Sequence, residues 1–273
     1  MLEMKNICAG YGKKEILHNL SVSFGKGTLT SVIGTNGCGK STLLKTMLGL
    51  VPCTLGQLSV DGKSLSLMKR TEIAKRIAYL AQGKSLPDMT VEQMVLHGRF
   101  PHLSYPRRYT KKDRAIAQAA MERTGIKESA AQPMAALSGG MRQNAYLAMA
   151  LAQDTDYILL DEPTTYLDIG HQLGLMNMLR ELAETGKGVV AVMHDLPLAF
   201  AYSDRIAVMK EGSIVCFGPP DKVCENDMVR QTFGVTVRRE GDRYFYDFGC
   251  KTSEKCGAAG LLEDKTMADR SKF

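Results

Sequence analysis

A chain of 273 residues that is 44% hydrophobic has ample length for one large domain or two small ones around a substantial core, which excludes a disordered protein. No apolar run reaches the roughly 20 residues that cross a bilayer, and Met1-Leu2-Glu3-Met4-Lys5 lacks the apolar stretch of a secretory signal, so the expectation is a soluble cytoplasmic protein whose membrane role comes through a partner. The net charge of +6 is spread along the chain rather than gathered in one dominant patch, which argues against nucleic acid as a partner.

In chain order, residues 2–7 and 20–24 read as strands, separated by a loop, Ala9-Gly10-Tyr11-Gly12-Lys13-Lys14, that carries an aromatic between two glycines. Thr28–Ile33 reads as a buried strand and Ser41–Leu48 as a helix. Between them, Gly34-Thr35-Asn36-Gly37-Cys38-Gly39-Lys40-Ser41 has the spacing of a phosphate-binding loop, and the loop with Thr42 behind it is expected to hold nucleotide. Its glycines let successive N–H groups and the positive helix end face an anion, Lys40 reaches the β- and γ-phosphates, and the Ser41 hydroxyl ligates Mg²⁺. Cys38, beside Lys40 at a helix N-terminus, is in a setting that lowers a thiol pKa, so it is expected to react with alkylating reagents and to be protected by ATP. The seven cysteines are scattered without a C-x-x-C pair and read as reduced thiols.

Gly56–Val60 then reads as a strand with a tight turn at Asp61-Gly62-Lys63, and Arg76–Ala81 as a strand ending at Gln82. From about 83 to 136 the period becomes helical, with capping-box spacing at Thr90-Val91-Glu92-Gln93 and a cap at Thr110 for a helix running to Gly125. The basic run Arg107–Arg114 with Tyr105 and Tyr109 reads as a solvated loop and helix start, near enough to a membrane to meet anionic headgroups. A helix over 137–152 opens at Leu137-Ser138-Gly139-Gly140-Met141-Arg142-Gln143, whose Ser138 and glycines form either a second anion-binding helix end or a plain cap.

The apolar strand Tyr157–Leu160 delivers Asp161 and Glu162 with opposite orientation, because side chains alternate along extended backbone. Asp161 fits a Mg²⁺ holder and Glu162 the base that orients and deprotonates water, against the plainer reading of a polar strand end. A helix capped by Asp168 runs to about Thr185, and a strand from Gly188 to Met193 ends at His194. Beyond 204 the chain reads as hairpins turning at Glu211-Gly212 and Gly241-Asp242, with 250–273 as a mobile tail. Strands alternating with helices imply a mainly parallel sheet with ligands at its carboxyl edge.

The set Tyr11, Gly34–Ser41, Gln82, Leu137–Gly140, Asp161-Glu162-Pro163, Leu167-Asp168 and His194-Asp195 resembles the ATP-binding-cassette ATPases over residues 1 to about 250. The resemblance implies the α/β fold of that P-loop NTPase family over 1–249: a mainly parallel sheet, an N-terminal antiparallel β part, and an inserted helical subdomain at about 83–152. It implies that Tyr11 stacks on adenine, Gln82 senses Mg²⁺ and the partner, Asp168 crosses a dimer interface, and His194 contacts the γ-phosphate. The Ser138-Gly139-Gly140 site would then close over ATP bound to a second copy. Lone residues carry plainer readings, surface packing for Tyr11 and a satisfied core histidine for His194. The chain departs from the family at Met141, where Gln or Glu is usual, and at Asn144, where a basic residue is common.

Leu96-His97-Gly98-Arg99-Phe100-Pro101-His102 and Glu162–Gln172 more narrowly resemble the ATPase subunits of ferric-siderophore importers, a group related to haem and cobalamin importers. That implies an ATP-hydrolysing homodimer at the cytoplasmic membrane face, coupled to integral-membrane permease subunits and indirectly to a substrate-binding protein. A haem, cobalamin or other metal-chelate importer is the alternative, with an exporter subunit further off. A cassette acting on nucleic acid would be expected to carry a second cassette or further domain, and a regulatory module without turnover would lack Glu162 or His194.

Overall fold

The structure, a computed structural model, describes residues 1–82, 86–165, 167–241 and 243–247. Residues 83–85, Tyr166, Asp242 and everything from 248 onward, the expected tail at 250–273 included, lie outside them. The chain opens with β1 (Leu2–Tyr11), β2 (Lys14–Phe24) and β3 (Thr28–Gly34), followed by α1 (Lys40–Met47), β4 (Cys53–Val60), β5 (Lys63–Ser64), α2 (Arg70–Ala74) and β6 (Ile77–Leu80). Three helices come next, α3 (Val91–His97), α4 (Lys111–Arg123) and α5 (Gly139–Ala152). Then β7 (Tyr157–Asp161), α6 (Ile169–Glu184), β8 (Gly188–Val192), α7 (Leu196–Tyr202), β9 (Arg205–Lys210) and β10 (Ser213–Gly218) complete the main body. The described chain ends with α8 (Pro220–Cys224), α9 (Asp227–Phe233) and the hairpin β11 (Thr236–Glu240) and β12 (Arg243–Asp247).

The central sheet has the order β10-β9-β3-β8-β7-β6, and every neighbouring pair in it is parallel except β10 with β9. Its strands are apolar almost throughout because both faces are covered. Alternation along each strand sends Ile158, Leu160, Val189, Ala191, Ile206 and Val208 into one core, shared with the helices α3 to α6. The intervening Tyr157, Leu159, Val190, Val192, Ala207 and Met209 enter the other core, shared with α1 and an antiparallel sheet of order β2-β1-β4-β5.

Two expectations change. The supposed loop at 9–14 is mostly strand: β1 continues through Tyr11, and only Gly12 and Lys13 turn. Gly10 permits this, since a Cβ there would lie 2.0 Å from the Lys14 carbonyl oxygen across the pair. The region beyond 204 is not hairpins alone either, because α8 and α9 lie between β10 and β11. Pro219-Pro220 opens α8, Asn226 caps α9 by accepting from Met228 N at 2.9 Å, and Gly234 ends it at φ 72°.

The capping boxes at Thr90 and Thr110 form as expected. The segment around Arg99 has a structural explanation. Arg99 is buried, donates Nε to Asp113 Oδ1 at 3.0 Å and Nη1 to the Ala152 carbonyl at 2.8 Å, and so ties α4 to the end of α5. His102 bonds the Gln153 carbonyl at 2.9 Å, and the Gln153 amide donates to the Ala74 and Ile77 carbonyls beside β6. Gly98 lets α3 approach α5, because a Cβ would meet the Met149 carbonyl oxygen at 2.2 Å. In the following basic loop, Arg107 lies over the Phe100 ring at 4.4 Å.

Asp113 is held down to about 2, first by the Thr110 hydroxyl, against the upward push of burial, and further by the Thr110 N–H and Arg99. A depressed folded-state value means its contribution is complete above its unfolded value near 4 and is lost as the pH falls toward 2. Arg99→Met should leave a buried carboxylate unpaired and destabilise the chain by about 3–5 kcal/mol in denaturant unfolding. Stability loss between pH 4 and 2 should shrink in Asp113→Asn; an Arg99→Met chain with unchanged stability would mean the pair holds nothing together.

Candidate nucleotide site

Four adjacent parallel strands, β3, β8, β7 and β6, end side by side, and each is followed by one of the polar groups singled out in the sequence. After β3 the phosphate loop turns into α1. Gly37 and Gly39 adopt φ 79° and 107° there, conformations that side chains resist, and a Cβ on Gly34 would lie 2.5 Å from the Met209 carbonyl oxygen. Lys40 is buried, and its ammonium donates to the Gly34 and Thr35 carbonyls at 2.8 and 3.0 Å. No carboxylate pairs with it among the described residues, and the first turn of α1 carries no acid. A buried cation satisfied only by carbonyls, at an uncompensated helix N-terminus, fits an anionic phosphate.

After β7, Asp161 remains in the strand and is 4% exposed. Its Oδ1 accepts from Ser41 Oγ at 3.1 Å and its Oδ2 from the Tyr79 hydroxyl at 3.2 Å. Burial pushes its pKa up, the Ser41 and Tyr79 hydrogen bonds oppose this, and neighbouring Glu162 adds to it. Joining a hydroxyl and a carboxylate next to a phosphate cradle gives the oxygen donor set suited to Mg²⁺, which keeps water and phosphate as its other ligands. Tyr79 escaped the sequence reading. Its signal is there in the strand period, since β6 pairs Tyr79 with Leu159 and turns its ring to the same face as Asp161.

Glu162 leaves the strand at φ 52°, so its different partners from those of Asp161 come from a left-handed turn and not from the alternation along extended backbone that the sequence suggested. His194 Nε2 lies 2.5 Å from Glu162 Oε1, the Gln82 amide donates to Oε2, and Thr165 Oγ1 donates to Oε2 at 3.4 Å. His194 and Gln82, from the ends of β8 and β6, therefore hold one carboxylate from both sides. That geometry suits a base positioned for water.

A second cluster lies on α5 and α6. Ser138 caps α5 by accepting from Met141 N at 3.3 Å, again with no acid in the first turn, and Asp168 caps α6 by accepting from His171 N at 2.9 Å. Among the described residues no hydrogen bond joins Ser138, Gly139 or Asp168 to the Lys40 cluster. Tyr11 stands at the exposed end of β1, and Thr35 and Asn36 at the exposed tip of the loop. Thr42 is buried in the first turn of α1.

Residues 17–165 match the ABC transporter family. The chain belongs to that family. It is 41% identical over 246 residues to the petrobactin import ATP-binding protein FpuD of Bacillus anthracis, covering 89% of this chain and 90% of that one. The iron(3+)-hydroxamate import ATP-binding protein FhuC of Bacillus subtilis is 42% identical over 236 residues, with 86% and 88% covered. Among solved structures, a bacterial ABC transporter cassette determined as a dimer, MJ0796, superposes with a TM-score of 0.71 at 27% identity, covering 81% of this chain and 99% of that one. The fold of this cassette is that of its family: a parallel-rich sheet, an antiparallel N-terminal sheet, and helices α3 to α5 between β6 and β7.

Cys38 corrects an expectation. It lies in the phosphate loop, but its side chain turns inward, and only 6% of the residue is exposed. Burial pushes the thiol up, and the charge of Lys40 opposes this without overcoming it. Desolvation wins over the helix end. Peptide mapping after brief maleimide treatment of the native protein should find exposed Cys53 labelled well before Cys38; Cys38 labelled first would reinstate it as a reactive thiol.

Proposed function

We propose that this chain is the ATP-hydrolysing subunit of an ABC importer, working as a homodimer on the cytoplasmic face of the membrane and driving permease subunits that take up a ferric siderophore. The observation that carries the ATPase reading is Glu162, held between His194 and Gln82 beside the Ser41–Asp161 pair. The cargo rests on likeness to relatives named for petrobactin and iron(3+)-hydroxamate import. The dimer rests on likeness to a cassette solved as one and on the two separate anion-binding helix ends.

Lys40 exchanges its carbonyl partners for the β- and γ-phosphates of ATP, and the loop N–H groups take the remaining phosphate oxygens. Mg²⁺, which Ser41 and Asp161 would hold, would supply charge neutralisation for the bound phosphates. Tyr11 packs on the adenine. Glu162 accepts a proton from the attacking water at a carboxylate oxygen, and Gln82 and His194 keep that carboxylate aimed while His194 also contacts the γ-phosphate. The ATP of one chain is closed over by Ser138, Gly139 and Gly140 of the second, with Asp168 at the interface between them. A substrate-binding protein outside the membrane takes part only through the permease.

General-base catalysis is typically worth about 10²–10⁴ in rate, so Glu162→Gln should lose that much turnover while still binding ATP, and should accumulate as an ATP-dependent dimer in size-exclusion chromatography. Normal turnover would move the base elsewhere. Lys40→Ala should weaken nucleotide binding and turnover together. With the permease reconstituted in vesicles, ATPase activity should rise on adding binding protein loaded with a ferric siderophore; a response only to haem or cobalamin would change the cargo.

A further inference from the structure

Among the described residues, the segment Glu162–Gln172 and the start of α5 are joined at two points. Gln143, on α5, donates its amide to the Pro163 carbonyl at 3.0 Å, immediately after Glu162. The second joint is His171. Its Nδ1 lies 2.9 Å from both carboxylate oxygens of Asp168, and because a carboxylate only accepts, Nδ1 carries the proton. That hydrogen bond fixes the ring with its far edge against Gly140. A Cβ built on Gly140 would stand 3.1 Å from His171 Cδ2 and 3.2 Å from Nε2. A side chain at position 140 would therefore crowd the His171 ring, which would have to give by a few tenths of an ångström.

We propose that His171 is a positioning residue: held by Asp168, its imidazole is the wall that sets where the Ser138-Gly139-Gly140 turn stands. The proposal rests on the dimer reading given above. Asp168, whose side chain is 70% exposed in the single chain, is then linked to the phosphate-facing turn through one ring, so whatever meets its carboxylate at the interface also places the turn. Gln143 extends the same bracket to the residue following Glu162. A chain's own base and the turn it offers to its partner are thereby parts of one braced unit. An exposed aspartate–histidine pair contributes little to folding stability, so the wall shows in closure of the dimer and not in unfolding.

The test uses the full chain carrying Glu162→Gln, with ATP-dependent dimerisation followed by light scattering as ATP is raised. Adding His171→Ala should raise the half-maximal ATP concentration by about 2- to 30-fold, the range of couplings carried through packed side chains. Binding of a fluorescent ATP analogue to the monomer and the unfolding temperature should stay unchanged. His171→Asn keeps a donor toward Asp168 but removes the outer ring edge, and His171→Phe keeps a ring but loses the donor. Both should remain defective, the first because the wall is missing and the second because the wall has lost its tether. An unchanged midpoint in His171→Ala overturns the proposal, as does full recovery in His171→Phe, which would leave Asp168 without a part. If Glu162→Gln alone stays monomeric at every ATP concentration, the dimer reading itself fails and the proposal falls with it.

Discussion

Burial of the central sheet on both faces is the constraint from which the rest follows. Parallel strands need crossover connections, and those crossovers supply the helices that cover the sheet. They also put the carboxyl ends of the parallel strands on one edge. In the order β3, β8, β7, β6 that edge presents the phosphate loop, His194, Asp161 with Glu162, and Gln82. Groups far apart in sequence become neighbours at the strand spacing of about 4.8 Å. None of these side chains has to reach far, and each is anchored to a strand with no freedom to slide, since a shift of one residue would exchange the two cores.

Two adjacent carboxylates acquire different properties at this edge through backbone geometry alone. Asp161 is still in the strand, so its side chain points into the layer that holds Tyr79 and α1, where burial raises its pKa and two hydroxyls restrain it. Glu162 takes a left-handed conformation and turns to His194 and Gln82. Such a conformation is uncommon for a residue with a side chain, and strain of this kind gathers where the surrounding contacts over-determine it. The bonds to His194 and Gln82 are contacts of that kind, and both partners hang from neighbouring strands.

Much of the fold and of the site was legible because it depends on local rules. The phosphate loop, the capping boxes at Thr90 and Thr110, the caps at Ser138 and Asp168, and the strands before Asp161 and His194 all follow from spacing, period and cap chemistry. What escaped depends on contacts distant in sequence. The opening hairpin was underestimated because Gly10 looks like a loop residue until Lys14 is seen packed on it. The helices at 220–233 have two turns at most and no room for a period to declare itself. Cys38 was misjudged because sequence shows the helix end and the lysine but not the depth of burial. The resemblance of Leu96–His102 to siderophore-importer ATPases agrees with the relatives the chain matches; what escaped is that Gly98, Arg99 and His102 bracket α3, α4 and α5 together. Likeness there reports how the helices are assembled and carries no chemistry of a cargo.

The two helix ends lead to the last step. Both α1 and α5 start without an acid in the first turn, so each presents a partial positive charge with no internal counterpart. A single nucleotide on α1 would satisfy one of them. A two-fold arrangement of identical chains is isologous, so whatever one chain offers its partner it receives in return. If the α5 end of each chain lies over the phosphates on the other's α1, two nucleotides satisfy all four helix ends, and closure depends on both being filled. Cooperativity in such an assembly needs no further device than the bracing of α5 against the segment after Glu162, since moving one end of that unit displaces the other.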